Sequence, residues 1–216
     1  RPRLDLRDEG LRRVLLLMGP GTIGLAATQL NLFVNTLLAT SQGTGAPSWL
    51  SYAFRLMYLP IGLFGVSIAT AVLPAVARHA AVDDHAAIRR TLSRGLGLMF
   101  LLNVPATLGL VVLATPIVRL LFERGQFMPS DTAATAAILQ CYAVGLVGYA
   151  TARIVSPVFY ALGQHRVPVL ISTASVGINI LASLLLVTLL GVRGLALGTS
   201  MAALAHGART VDAVEI

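Results

Sequence analysis

Five stretches of the chain stay apolar for about twenty residues or longer, enough to cross a bilayer at roughly 1.5 Å per helical residue. They cover residues 14–40, 49–77, 95–122, 132–162 and 167–190, and a sixth starts at 194 but fades near 205, short of a full crossing. None alternates with the period of two that a membrane barrel requires. Backbone groups in lipid must be satisfied within their own segment, so the pattern predicts helices. The expected fold is all-α, a polytopic transmembrane helical bundle over 1–216 with five full spans and the start of a sixth.

The polar connections alternate in charge. RPRLDLRDEGLRR, ARHAAVDDHAAIRRTLSRG and GQHRVP together carry ten arginines, whereas SQGTGAPS, VRLLFERGQFMPSD and GVRG carry three. Arginine-rich loops stay on the cytoplasmic side, so the first full span is expected to run from inside to outside. In the second basic connection Ala81, His85, Ile88 and Leu92 recur at helical spacing. That spacing suits either a short interfacial helix or a solvated helical linker. Ser130-Asp131 is expected to cap the fourth span. Pro105 and Pro157 should kink the third and fourth spans by removing a backbone donor.

Polar residues inside the spans fall on particular faces. Gly21, Gly24, Thr28, Asn31 and Asn35 share one face of the first span, flanked by Gln29. Such a face is either packing glue, with small residues for close approach and amides bonding across helices, or the wall of a water-accessible cavity. In the second span Arg55, Tyr58, Gly62, Gly65 and Ala69 recur at helical spacings that place them on one face. An arginine at membrane depth marks a functional site by default. Alternatively, Arg55 stretches from about two turns inside the span to the interface. Arg153, in the fourth span, is nearer the inner interface and has the same two readings.

Composition narrows the chemistry. The chain is 56% hydrophobic and 12% charged, with a mean hydropathy of +0.81, against about a quarter charged in soluble domains. All sixteen basic residues are arginine, a bias that suggests a GC-rich bacterial genome. The net charge of +7 is dispersed between apolar runs, which speaks for membrane orientation and against nucleic acid. One cysteine, Cys141, excludes an internal disulfide or a cysteine-built zinc site. All nine carboxylates, and the four histidines, fall in loops, tails or span ends. Intramembrane hydrolysis or metal-assisted transfer needs such groups at depth. The pattern therefore favours a transporter or scaffold over an enzyme, with no cofactor or metal.

Several stretches are specific. SWLSYAFRLMYLPIGLFGVSIATAVLPAVAR, QLNLFVNTLLA, LNVPATLGLVVLATPIVRLLFERGQF and YAVGLVGYATARIVSPVFYALG resemble the MurJ/MviN lipid II flippase family, within the multidrug/oligosaccharidyl-lipid/polysaccharide exporter superfamily. INILASLLLV and LGVRGLALGTSMAA continue the resemblance, which runs from about residue 19 to 203. It implies a two-lobe protein around a central cavity, of which this chain is most of one six-helix lobe. It also implies a substrate, the undecaprenyl-diphosphate-linked peptidoglycan precursor, moved from the inner to the outer leaflet by alternating access. By position, Arg55 corresponds to a cavity arginine that meets the diphosphate, Ser48 to a serine at the same helix's outer end, and Arg153 to a position that is usually basic. Two residues depart from the pattern: Tyr58 stands where members often carry a polar or acidic residue, and Phe54 where some have Asp.

The expected function is thus translocation of a lipid-linked precursor for cell-wall biogenesis in the bacterial cytoplasmic membrane. Its expected partners are that precursor, membrane lipids and the missing first lobe, with no nucleic acid. Arg55, Ser48, Tyr58, Asn31, Asn35, Gln29 and Arg153 are the candidate substrate-binding residues. The alternatives are export of another polyprenyl-linked glycan or a drug, or a scaffold for cell-wall enzymes. A drug cation would call for an intramembrane carboxylate. The sequence opens without Met on a basic stretch and is expected to be an internal piece, with the tail after Ala205 outside the family pattern.

Overall fold

The computed structural model describes residues 22, 26, 28–164 and 166–214, and every regular element among them is helical. The basic opening stretch, the first half of the first span with Gly21 and Gly24, His165 and Glu215 lie outside the described residues. Helix α1 is described over 28–40, and α2 spans Ala46–Pro60. A π-helical turn, Ile61–Gly65, joins α2 to α3 (Val66–Ala80) in one rod. Next come α4 (His85–Val112), α5 (Ala114–Phe122), α6 (Pro129–Ala161), α7 (Arg166–Leu190) and α8 (Val192–Asp212). Among the described residues four segments are long and apolar enough to cross a membrane: Ala46–Ala80, His85–Val112, Pro129–Ala161 and Arg166–Leu190.

Local chemistry sets several boundaries differently from the sequence pattern. The helical spacing at His85, Ile88 and Leu92 belongs to the first turns of α4, not to a separate interfacial helix. Asp84 caps that start by accepting the Ala87 N–H at 2.9 Å, while Ile88 and Leu92 are buried beside Val72 and Val76. The third span does not run through to Phe122: it breaks at Leu113, because Pro116 has no N–H to give the Val112 carbonyl and its ring crowds that group. Ser130 and Asp131 are not the cap of α6. The helix begins at Pro129, and Asp131 reaches back from the first turn to accept the Met128 N–H at 2.8 Å. Pro105 and Pro157 both lie within continuous helices.

The sixth helix does not stop near Ala205. It continues to Asp212, and Thr210 in its last turn is fully buried. Gly191, at φ +57°, makes the single-residue turn from α7 to α8, a conformation glycine adopts without strain. The two helices then pack backbone against backbone, as do α6 and α8. A Cβ on Gly194 would overlap the Leu186 carbonyl oxygen, and one on Gly148 the Ala203 carbonyl oxygen. Small residues at such contacts replace the hydrophobic driving force that lipid cannot supply.

Helix α6 is the axis of the bundle. Its most apolar window is 56% buried, against 17% for α4 and α7, whose leucines at 101, 108, 181 and 185 are exposed, facing lipid in a membrane. One core layer joins Leu56, Met57 and Ile61 to Leu139, Leu146 and Val118. The other joins Ile68, Val72 and Val76 to Met99, Ile154 and Phe159. Trp49 Nε1 donates to Asp131 Oδ1 at 2.9 Å, tying the starts of α2 and α6 at one end. Ala80, Leu162, Val167 and Val214 gather at the opposite end.

Candidate functional site

Between the α2–α3 rod and α6 lies an open groove of about 530 Å³, lined by Tyr58, Ile61, Val66, Ala69, Thr70 and Leu73 on one side. Tyr149, Ala152, Arg153, Ser156 and Pro157 line the other. The lining is largely apolar, contains no carboxylate and contains one cation, Arg153. Arg153 sits about 12 Å from the end of α6 at ~1.5 Å per residue. Its stem passes the rod at Gly65, where an added Cβ would stand 3.9 Å from its Cγ. Arg153 makes no hydrogen bond or ion pair among the described residues. The guanidinium therefore keeps its donors for something else. Phe54 closes the aromatic end of the groove, its ring 5.8 Å from Tyr58 and 6.2 Å from Tyr149.

A second, smaller cavity of about 220 Å³ adjoins the groove along α6, sharing Tyr149 and Ala152 with it, and is bordered further by α1, α7 and α8. Its walls include Asn31, Ser175, Asn179, Thr199 and His206. Here the polar groups pair with one another. Asn35 Nδ2 donates to Asn179 Oδ1 at 2.8 Å and to the Asn31 carbonyl at 2.9 Å, and it also meets Asn31 Oδ1. Ser183 Oγ donates to Asn35 Oδ1 at 3.3 Å. Asn179 and Ser183 are almost fully buried. The described part of the α1 face thus does both things the sequence left open: Asn35 ties α1 to α7, and Asn31 borders a cavity.

The seven candidates do not converge. Tyr58 and Arg153 share the large groove, Asn31 lines the small cavity, Asn35 bonds to Asn31 and Asn179 of its walls, and Gln29 is exposed on α1. Ser48 lines a depression of about 550 Å³ at the end of the bundle, with Trp49, Tyr52, Arg124 and Gln126. Arg55 is exposed and stands beside the groove, not in it, about 60° around α2 from Tyr58 at ~3.6 residues per turn. Because α2 begins at Ala46, Arg55 lies about 14 Å along the helix, deeper than a start at Trp49 implies. The face proposed for the rod is also rearranged. Gly62 meets open space, Gly65 is buried, and Val66 and Thr70 take their place in the groove.

The profile of the family described as "Lipid II flippase MurJ" matches residues 1–208. The chain belongs to the MurJ lipid II flippase family. The match passes beyond Ala205, the point where the resemblance was expected to end. The "Lipid II flippase MurJ" of Burkholderia cenocepacia is 37% identical over 203 residues, covering 94% of this chain and 39% of the relative. The "Probable lipid II flippase MurJ" of Vibrio cholerae is 36% identical over 204 residues, again 94% and 39%. This chain therefore spans about two fifths of these MurJ relatives. Among solved structures, "Lipid II flippase MurJ, inward closed conformation" superposes with a TM-score of 0.85 at 27% identity, covering 100% of this chain and 45% of that one. A multidrug resistance MATE transporter of the MOP superfamily, in an outward-facing conformation, reaches 0.78 at 16% identity, a likeness of fold. Within the MurJ family this is a multi-pass bacterial membrane protein of a transporter lineage.

Sequence reasoning missed Tyr149, Ser156 and Thr70 in the groove, Ser175 and Asn179 in the cavity, and buried Ser183, which bonds to Asn35. Ser175, Asn179 and Ser183 carried a usable signal, since a spacing of four keeps them on one helical face. Tyr149 and Ser156 carried one as well, standing four residues before and three after Arg153 on α6, whereas Thr70 carried none, because the π turn changes the phase between it and Tyr58.

Proposed function

We propose that this chain is part of one lobe of a transporter that moves a lipid-linked peptidoglycan precursor across the bacterial cytoplasmic membrane. The observation that carries this reading is the groove at membrane depth: an apolar trough with one unpaired arginine and no carboxylate. Such a trough accommodates a lipid chain or sugar edge along its length while offering one permanent cation to a diphosphate. Arginine suits that role, because its planar fork pairs with two phosphate oxygens and stays charged. A drug cation would meet repulsion there. Arg55, exposed beside the groove, is the second anion contact in this reading. Ser48 lies at the outer end of the path, by the arginine asymmetry of the loops. The other lobe supplies the opposite wall, and rocking between the lobes gives alternating access.

The test is translocation of lipid-linked precursor by the full-length protein carrying Arg153→Ala, Arg55→Ala or both, at matched membrane abundance. Each single change is expected to reduce translocation severely, and the double change to abolish it. Arg→Lys at either position should retain part of the activity, because charge remains while the bidentate fork is lost. Normal translocation by the double alanine protein would overturn the diphosphate reading.

A further inference from the structure

We infer that the π turn Ile61–Gly65 is the positioning device of the groove: it carries one residue more than an α-helix would, and so turns Val66, Thr70 and Leu73 onto the face that holds Tyr58. The turn is closed by the Val66 N–H bonding the Ile61 carbonyl five residues back, the mark of a single extra residue in a helix.

The phase of the side chains requires it. At about 100° per residue, a regular helix would scatter Tyr58, Ile61, Val66, Ala69, Thr70 and Leu73 over about 180° of its circumference. With one residue absorbed, the same six, all of which line the groove, fall within about 100°. The buried stripe responds in the same way and independently. Leu56, Met57 and Ile61 are buried on α2, and Ile68, Val72 and Val76 on α3. In a regular helix the second set would be turned about 80° from the first, whereas with one residue absorbed the two stripes run on as one. Pro60 lies immediately before the turn and cannot donate to the α-helical ladder, so the ladder is already interrupted where the extra residue enters, as it is again at Pro74. Leu63, in the middle of the turn, is exposed and Gly62 has open space beside it, so the extra residue bulges outward without disturbing the core.

The rotation also explains Gly65. It stays buried on the flank that meets Arg153, where its missing side chain leaves room for the arginine stem. The register of the rod thereby sets what the guanidinium can reach. The consequence for transport rests on the function proposed above. The register itself can be measured without any substrate.

The experiment is thiol cross-linking in the full-length protein with its native cysteines replaced. Ser156→Cys on α6 is paired in turn with Gly65→Cys, Val66→Cys, Ala69→Cys, Thr70→Cys, Val72→Cys and Leu73→Cys, and treated with a short bifunctional reagent. Positions 66, 70 and 73 are expected to cross-link with Ser156→Cys, and position 72 is not. Cross-linking that follows 65, 69 and 72 instead, with 70 silent, would describe a regular helix and overturn the inference. Deleting Leu63 provides a second arm. It removes the bulge but leaves the flanks in phase, so the 66, 70 and 73 set should be unchanged. In a regular helix the same deletion would move the reactive set by one residue, and that shift would also overturn the inference. An alanine inserted after Leu63 should silence position 70 and reduce precursor translocation, and an added deletion of exposed Ser67 should restore both. If the cross-linking set holds but even the parent protein fails to translocate precursor, the register stands and the substrate reading falls.

Discussion

The small cavity beside α1 and the large groove beside α3 both hold polar residues set into apolar helices, yet they use those residues in opposite ways. Around the cavity, Asn35, Asn179 and Ser183 bond to one another across two helices. In the groove, Arg153 bonds to nothing among the described residues and faces open space. A polar group deprived of water is costly unless it is paired. Pairing inside the lobe therefore identifies the amides as structural ties, whereas an unpaired guanidinium beside an open trough is free to meet a ligand. The difference teaches that polarity at membrane depth is not itself a functional mark; the presence or absence of a partner is.

The comparison can be broken most forcefully at the packed side of α6. Gly148→Leu drives a side chain into the Ala203 backbone of α8. Overpacking typically costs about 1–3 kcal/mol and can exceed that where only backbone could yield. The full-length protein is expected to lose its monodisperse chromatographic peak, whereas Gly62→Leu, on the open side of the rod, should elute and melt normally. An unaffected Gly148→Leu protein would contradict the close α6–α8 packing.

Arg153→Leu should separate function from stability. Charge-assisted hydrogen bonds are worth roughly 1.5–3 kcal/mol each. Loss of two should reduce substrate affinity at least about a hundredfold at tenfold per 1.4 kcal/mol. Since Arg153 holds no partner in the lobe, the melting temperature should not fall. A marked fall would show that Arg153 is a structural tie like the amides.

Asn179→Ala should do the converse on a smaller scale. Interhelical hydrogen bonds in membranes average about 0.6 kcal/mol and reach about 1.7, so a modest fall in thermal stability with translocation preserved is expected. A double-mutant cycle with Asn35→Ala should show coupling of the same size. If Asn179→Ala abolished translocation without altering stability, the cavity would have to be counted as part of the path.

The smallest effect is expected at Gln29→Ala. Gln29 is exposed and borders neither the groove nor the cavity, so stability and translocation should both match the parent protein. A loss of translocation there would place α1's exposed face against the other lobe.

The sequence by itself determined that the chain is a bundle of membrane helices and which family it belongs to. Length and hydropathy decide the first, because lipid leaves a backbone no other option; the long motif around Arg55 decides the second. It also identified Arg153, as a charge within an apolar run, and Tyr58, from the face it was expected to share with Arg55, as candidates. Tertiary structure alone decided which candidates meet. The shared face of Arg55, Tyr58, Gly62, Gly65 and Ala69 assumed a constant 3.6-residue period, and the π turn breaks that period where no single residue advertises it. Likewise, Asn35 and Asn179 lie 144 positions apart, and neither shows in sequence that the other will satisfy it. Periodicity is a local property of the chain, whereas partnership depends on how α6, α7 and α8 close on one another through their glycines.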